Sequence, residues 1–340
     1  MFSGGNAPLE LRGAEWMCEA ESVDGVADGM TVADVTEAVA KDVPSGEVLG
    51  GRRARVKEGS TGHVVPFVWP LEAPATSGLR FLRLRFDALN LEQAAAKLVE
   101  RASSGKPFVY VVTPNVDHRV RLEREPYLHA LYETAWMSLC DSRILALMAR
   151  MDGIGLPPAP GADLVERLFE DEISPDEPVN IIGNDASVVA ALAERYDLRR
   201  VRHHGPPMGL RRDAEAIAAA SQFVVDNPAR FTFICVGSPQ QELVAQRILR
   251  RADAKGVGLC CGAAIEFLTG RVPRAPRWMR SIALEWFHRL ASDPLRMYHR
   301  YLVAGPQIFP IWLESRIDHT DDTGDDGTPS VAGASVHPAA

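Results

Sequence analysis

Residues 108–115 read Phe-Val-Tyr-Val-Val-Thr-Pro-Asn, a continuous apolar run that ends in a polar turn. Short runs of this kind, rich in β-branched residues, are typical of a strand buried on both faces of a sheet. The same succession of apolar run, polar turn and helical stretch recurs at Met137–Cys140, Val179–Ile182, Phe231–Val236 and Val257–Cys261. The sequence therefore predicts a Rossmann-like α/β fold, a parallel sheet with helices on both faces.

Before this region, Arg80–Phe86 alternates as one half-exposed strand. Asn90 and Gln93 form a capping-box pattern that predicts a helix over Leu91–Ser103, closed by Gly105. These elements define four predicted regions along the chain. They are a largely disordered leader at 1–76, the α/β domain at 77–270, a basic and aromatic helical appendage at 271–314, and a disordered acidic tail at 315–340.

The charge of the chain is unevenly distributed. The net charge is −8, and residues 1–75 alone carry 6 basic and 12 acidic residues. This balance does not favour a general nucleic-acid binder, so no nucleic-acid partner is expected. The five cysteines include no C-x-x-C pair, which indicates reduced thiols in a cytosolic protein.

No segment has the features of a signal peptide or a membrane span. The first ten residues lack a basic start followed by an apolar stretch. The longest apolar run, Tyr301–Leu313, is too short to span a bilayer and is interrupted by Gly305, Pro306 and Pro310.

Polar residues follow the predicted strands, where a parallel sheet binds its ligands. These candidates are Thr113 and Asn115, Asp141 and Arg143, Gln240 and Gln241, and Glu266 in the helix after the last strand. Each lies at or near a helix start, where free N–H groups favour a phosphate.

Each candidate also has a purely structural alternative. Asp141 is as well placed to cap a helix as to act as a general base. Asn115 could cap the next helix or bind a ligand. Gln240 and Gln241 could contact a sugar or base, or simply face solvent in the first turn of a helix.

Two common cofactor sites are not indicated. The chain has neither a G-x-G-x-x-G fingerprint nor a P-loop, which argues against a Rossmann oxidoreductase. His203 and His204 are adjacent, without other ligands at zinc spacing, so structural or loop roles are favoured over a metal site. We expect no metal and no cofactor.

The C-terminal region mixes arginines with aromatic residues. Seven arginines lie between Arg271 and Arg300, interleaved with Trp278, Trp286 and Phe287. The composition suits helices that lie in a membrane interface, with arginines that could reach anionic lipid or a diphosphate. An ordinary amphipathic helix packed on the domain is the alternative.

Several motifs, in order, resemble the WecG/TagA/CpsF glycosyltransferases, glycosyltransferase family 26. They are T-P-N (113–115), Asp141, P-G-x-D (160–163), H-H-G (203–205), G-x-P-x-Q-E (237–242), G-A-x-x-[DE]-F-L-x-G (262–270), and a closing segment from Arg274 to Val303 that contains R-A-P-R-W-M and L-E-W-x-x-R-L. The resemblance covers about residues 81–309.

The resemblance implies a bacterial enzyme of cell-surface or exopolysaccharide synthesis. Members move a sugar, often N-acetylmannosamine from its UDP donor, onto a polyprenyl-diphosphate-linked acceptor with inversion and without the D-x-D metal motif. Carried over, it implies Asp141 as catalytic base. It also implies Thr113 and Asn115 in the donor or acceptor pocket and Gln241 as a sugar or nucleotide contact. From their positions we expect Gln240 to contact substrate, and Glu266 to be either a second carboxylate of the site or merely a cap-region residue.

Two positions depart from the family pattern. Asp-Ser-Arg at 141–143 stands where the family often has Asp-Gly, and Pro158-Ala-Pro160 stands where an arginine is expected before Gly161. Our hypothesis is that Arg143 supplies the missing phosphate-facing charge, because a guanidinium can clamp a diphosphate from several backbone origins.

Together these features predict a cytoplasmic enzyme, peripheral on the inner face of the cytoplasmic membrane. Its expected partners are a nucleotide-sugar donor and a lipid-linked saccharide acceptor, and a homo-oligomer is left open. We expect Arg271, Arg274, Arg277, Arg280 and Trp278 to contact the membrane or phosphate. The alternative is a non-catalytic sugar-nucleotide-binding or scaffold protein at the membrane.

Overall fold

The computed structural model describes residues 72–322. The predicted leader lies outside these residues except for its last five, and so does the tail beyond Asp322.

Within residues 72–322, eight strands form two sheets. They are β1 (Leu79–Phe81), β2 (Leu84–Phe86), β3 (Val109–Val112), β4 (Met137–Ser138), β5 (Val179–Ile182), β6 (Val201–His204), β7 (Phe231–Ile234) and β8 (Val257–Cys260). The six strands from β3 onward form one parallel sheet in the order β4-β3-β8-β7-β5-β6. The predicted Rossmann-like α/β fold is confirmed.

The helices of the α/β part alternate with these strands. They are α1 (Leu91–Ser103), α2 (Val116–Arg124), α3 (His129–Glu133), α4 (Arg143–Met151), α5 (Gly161–Asp171), α6 (Ala186–Arg195), α7 (Ala214–Asp226), α8 (Gln240–Leu249) and α9 (Ala264–Leu268). Helix α1 has the predicted bounds, and Asn90 and Gln93 make both hydrogen bonds of the capping box.

Apolar side chains fill both faces of the sheet. In β3, Tyr110 and Val112 join one buried cluster while Val109 and Val111 join the other. The alternation arises because successive side chains of a strand point to opposite faces. Uninterrupted apolar strands are therefore the sequence signature of this doubly covered sheet.

The first predicted strand is wrong in detail. Arg80–Phe86 forms an antiparallel hairpin in which Phe81 pairs with Leu84. Leu82 and Arg83 form the turn with φ of 50° and 60°, as a tight hairpin turn requires. Neither residue favours this conformation, so the sequence carries no turn signal. Burial of the Leu82 side chain opposes the cost of the strain.

A buried carboxylate ties this hairpin to the main sheet. Asp87 accepts hydrogen bonds from the Ser138 N–H at 2.8 Å and from the Arg85 guanidinium at 3.0 and 3.1 Å. Ser138 is the last residue of the short strand β4. The contact therefore fixes the strand that leads to Asp141.

Helices continue to the end of the described residues. They are α10 (Arg277–Ser281), α11 (Glu285–Ser292), α12 (Pro294–Tyr298), a π-helical turn (His299–Ala304) and α13 (Ile308–Asp322). Ala304 and Ile308 are buried in the core, and the Trp312 indole donates to Asp152 at 2.6 Å. Helix α13 runs past residue 314, into the range assigned above to the tail. No helix within residues 72–322 combines the length and apolarity needed to cross a bilayer.

Candidate functional site

The candidate site lies at the carboxyl edge of the parallel sheet. Asp141 stands three residues after the end of β4, and Thr113 directly follows the neighbouring strand β3. Pro114 accepts a hydrogen bond from the Asp141 N–H at 3.2 Å, which joins the two loops. The sheet order therefore brings the first two predicted motifs together.

Asp141 is not the cap of the helix that follows it. The Ser142 hydroxyl accepts from the Leu145 N–H at 3.2 Å and caps α4. The structural alternative for Asp141 is thus wrong, because the next residue performs that role. The Asp141 carboxylate is left available at the sheet edge.

Two hydrogen bonds orient this carboxylate. The Gly161 N–H, at the start of α5, donates to Oδ1 at 2.8 Å, and Asn115 Nδ2 donates to Oδ2 at 3.3 Å. The Asn115 side-chain oxygen accepts from the His118 N–H at 3.2 Å. Asn115 therefore caps α2, as one alternative predicted, and also orients Asp141.

Glycine at position 161 is required by close packing. A Cβ atom there would lie 2.8 Å from Thr113 Oγ1, too close for a real contact. Thr113 is buried beneath the start of α5. In this structure it supports the helix terminus that binds Asp141, a role that its position after β3 alone did not reveal.

The electrostatic surroundings of Asp141 suit a base. Burial raises the pKa of its carboxyl to about 6, while the bonds from Gly161 and Asn115 act in the opposite direction. Glu285 raises this pKa and Arg289 lowers it. The two residues belong to α11, so charges of the C-terminal helices act on the carboxylate.

Gln241 joins the loops after β7 and β8. Its Oε1 accepts from the Gly262 N–H at 2.9 Å, and its Nε2 donates to Glu242 Oε1 at 2.8 Å. The side chain is 3% exposed, so the solvent-facing alternative is wrong for Gln241. Gln240, the first residue of α8, is half-buried.

Glu266 is half-buried among arginines of the C-terminal region. Burial raises the pKa of its carboxyl, and Arg296, Arg271 and Arg289 act to lower it. The Arg289 guanidinium lies 4.7 Å from the centre of the Phe267 ring. Arg289 thus interacts with both Glu266 and Asp141. The four-residue spacing in the sequence predicts only the pairing of Arg289 with Glu285, at 3.6 Å, and gives no signal for the contacts with the other two carboxylates.

The other predicted arginines have different surroundings. Arg274 binds Asp163 and Glu166 of α5, and Arg280 binds the same Asp163 carboxylate at 2.7 Å. Their charges are therefore compensated within the protein. By contrast, Arg271, Arg277 and Trp278 are exposed.

Arg143 is the first residue of α4 and is exposed. Within residues 72–322 its guanidinium has no hydrogen bond or ion pair. It stands two residues from Asp141 in the sequence.

The two adjacent histidines have separate contacts. His203 Nε2 lies 3.0 Å from Gly183 O and 3.1 Å from Asn184 O, at the turn after β5. His204 stacks on Phe223. No group of three or more His, Cys, Asp or Glu side chains able to hold a metal occurs in the described part of the chain.

This edge combines a carboxylate that can accept a proton with guanidinium groups that can hold a phosphate. The combination suits group transfer from a phosphorylated donor, and the class of protein it indicates is a glycosyltransferase. Residues 79–322 match the model of the Glycosyl transferase WecG/TagA/CpsF family, and the chain belongs to this family. The family supports a glycosyltransferase role in cell-surface polysaccharide synthesis, and membership implies in general a sugar donor and a lipid-linked acceptor.

The pKa of Asp141 predicts how transfer depends on pH. For Asp141 to act as a general base its carboxyl must be ionised, so in that role it should make kcat/KM rise as the pH increases through about 6 and then level off. In Asn115→Ala the ionised carboxylate loses a hydrogen-bond donor, and the rise should move to higher pH. Steady-state rates between pH 5 and pH 8, as a working range, measure both.

Asn90→Ala is the matched control, because Asn90 caps α1 as Asn115 caps α2 but lies outside the site. It should keep the wild-type profile. A profile that is flat across this range, or the same shift in both variants, would contradict the assignment.

Proposed function

We propose that the protein is an inverting hexosyltransferase that uses no divalent metal. It moves a sugar, N-acetylmannosamine or another hexose, from a nucleotide-sugar donor such as a UDP-sugar to a polyprenyl-diphosphate-linked acceptor in exopolysaccharide assembly. The observation that carries the proposal is the Asp141 carboxylate, which is oriented by two hydrogen bonds, is not used as a cap, and has its pKa raised to about 6.

In the proposed reaction Asp141 takes the proton of the acceptor hydroxyl. The acceptor oxygen then attacks the anomeric carbon, and the bond from that carbon to the nucleotide diphosphate breaks. One displacement of this kind inverts the anomeric centre. A base with a pKa of about 6 is ionised at neutral pH yet still able to accept a proton.

The departing diphosphate needs positive charge. We assign this role to Arg143 and to the arginines that act on the two site carboxylates, Arg289 and Arg296. Helix N-termini at the same edge supply further N–H donors. The family resemblance supports transfer without a D-x-D metal motif, so we propose charge neutralisation by the protein itself.

The remaining predicted site residues have supporting or substrate roles in this proposal. Thr113 and Gln241 hold the loops around the pocket, while Gln240 and Glu266 remain proposed substrate contacts. We propose residues 77–270 as the transferase domain and 271–314 as the membrane-associating appendage, on the cytoplasmic face of the membrane.

Exposed apolar side chains support the membrane role of the C-terminal helices. Among the described residues, 14 large apolar side chains are exposed, and 10 of them lie between residues 278 and 317. Phe309, Leu313 and Ile317 follow one another at four-residue spacing and so share a face of α13. Such a face, in a C-terminal region that also exposes Arg271 and Arg277, fits an anionic lipid surface.

Flotation with vesicles tests this surface. We expect the protein to bind vesicles that contain anionic lipid more than neutral ones, and the double variant Phe309→Glu, Leu313→Glu to bind about tenfold less. Met208→Glu is the control, because Met208 is equally exposed but lies outside the C-terminal helices. Equal binding by wild type and double variant would contradict the proposal.

Transfer by wild type and Asp141→Asn tests the catalytic proposal. Labelled UDP- and GDP-sugars are supplied with bacterial membranes as the acceptor source, and lipid-extractable label is measured. Asparagine keeps the size of the side chain but cannot act as a base. We therefore expect transfer from one donor class, reduced in the variant by about 10²- to 10⁴-fold.

Thermal unfolding of the same variant separates catalysis from folding. The carboxyl has its pKa raised by burial, so its ionised form destabilises the folded protein above about pH 6. Asp141→Asn should unfold at a temperature no lower than wild type at pH 7.5, a chosen assay pH.

In the transfer assay, donor binding without transfer by either protein would favour the alternative, a sugar-nucleotide-binding scaffold.

Arg143→Ala tests whether this side chain replaces the expected arginine. We expect donor turnover to fall about tenfold or more, since a guanidinium on a phosphate is a strong charge-assisted contact. Arg150→Ala is the matched control, because Arg150 is exposed in the last turn of the same helix. Unchanged turnover in Arg143→Ala would disprove this role.

A further inference from the structure

Two cysteine thiols lie side by side at the carboxyl edge of the sheet. Cys235 directly follows β7 and Cys261 directly follows β8, and their Sγ atoms are 3.3 Å apart. The strands remain paired up to this point, because Ile234 pairs with Cys260 and the Cys261 N–H donates to Ile234 O at 3.2 Å. The two cysteines are therefore cross-strand neighbours.

Their surroundings differ from those of the other described cysteines. Cys261 is partly exposed and Cys235 is buried beside it. Both contact the same apolar cluster. Cys260 and Cys140 are buried in the cluster on the opposite face of the sheet. Their position on this face of the sheet, and the partial exposure of Cys261, thus distinguish this pair from Cys140 and Cys260.

We infer that Cys235 and Cys261 form an oxidisable dithiol site that peroxides convert to a disulfide. Peroxide oxidises the Cys261 thiolate to a sulfenic acid and is itself reduced, releasing hydroxide or, after protonation, water. The Cys235 sulfur then attacks the Cys261 sulfur, the S–S bond forms and water leaves with the Cys235 proton. Two electrons pass to the peroxide overall.

The backbone geometry is compatible with this bond. Adjacent strands lie about 4.7–4.9 Å apart, within the Cα separation of about 4.4–6.8 Å that disulfides accept. The sulfurs must approach from 3.3 Å to about 2.05 Å. Burial raises the pKa of the Cys235 thiol, which favours Cys261 as the first to react.

The bond would act on the loops of the candidate site. Gly262 follows Cys261, and its N–H is bound by Gln241. Gly237 lies two residues after Cys235 and leads to Gln240 and Gln241. A closure of about 1 Å between the sulfurs would shift these loops relative to each other. The effect on activity rests on the proposed function, whereas disulfide formation does not.

Mass spectrometry of the full chain tests the bond itself. After mild hydrogen peroxide, wild type should lose two free thiols and two hydrogens in mass, and non-reducing digestion should yield the linked 235–261 peptide. Cys260→Ala should do the same, because Cys260 belongs to the other face. Cys235→Ala and Cys261→Ala should form no such link. A link through another cysteine, or further oxidation of Cys261 without a link, would overturn the inference.

Transfer assays then test the consequence. Oxidised wild type should lose transfer by about tenfold or more and recover it with dithiothreitol, since misplacement by about 1 Å can cost a hundredfold. Cys261→Ala should keep its activity after the same treatment. If the disulfide forms and transfer is unchanged, the two cysteines are oxidisable but do not control the enzyme. That result would overturn the inferred effect of the disulfide on activity. If no donor is turned over even in the reduced state, only the proposed function fails.

Discussion

The hydrogen bond from the Gly161 N–H to the Asp141 carboxylate is the contact on which the site depends. It requires Ser142 to cap α4, so that Asp141 is not used there, and it requires glycine at 161, because Thr113 occupies the space that a Cβ would need. Three motifs that are distant along the chain thus meet at one carboxylate. The parallel sheet makes this possible, since the carboxyl ends of β3 and β4 lie at the same edge.

The fold could be predicted because its information is local. Apolar runs marked the central strands, and the capping box at Asn90 gave the bounds of α1. The errors occurred where tertiary contacts override local preference. The turn at Leu82 and Arg83 adopts positive φ without glycine or asparagine, and is compensated by burial. Strand β6 lies at the sheet edge and is only half-buried, so it lacks the apolar run that marked the others.

The sequence supplies candidate residues for the site but not their arrangement. It singles out Asp141 and a set of C-terminal arginines as candidates, yet which arginine approaches which carboxylate depends on how distant helices pack. Arg289 acts on Asp141, whereas Arg274 and Arg280 bind Asp163. Likewise, the Gln241 amide is used to join two loops. These long-range pairings cannot be predicted from residue type and spacing.

Helix α5 connects these observations. Its first N–H binds the Asp141 carboxylate, and in its first two turns Asp163 binds Arg274 and Arg280 while Glu166 binds Arg274. The helix that orients Asp141 is therefore also the helix that anchors the chain beyond residue 270. An isolated sheet domain would leave Asp163 and Glu166 without these partners on the helix that binds the Asp141 carboxylate. The C-terminal segment is thus not an exchangeable module, and a chimera that replaced it would need to preserve this pairing to keep the Asp141 carboxylate in place.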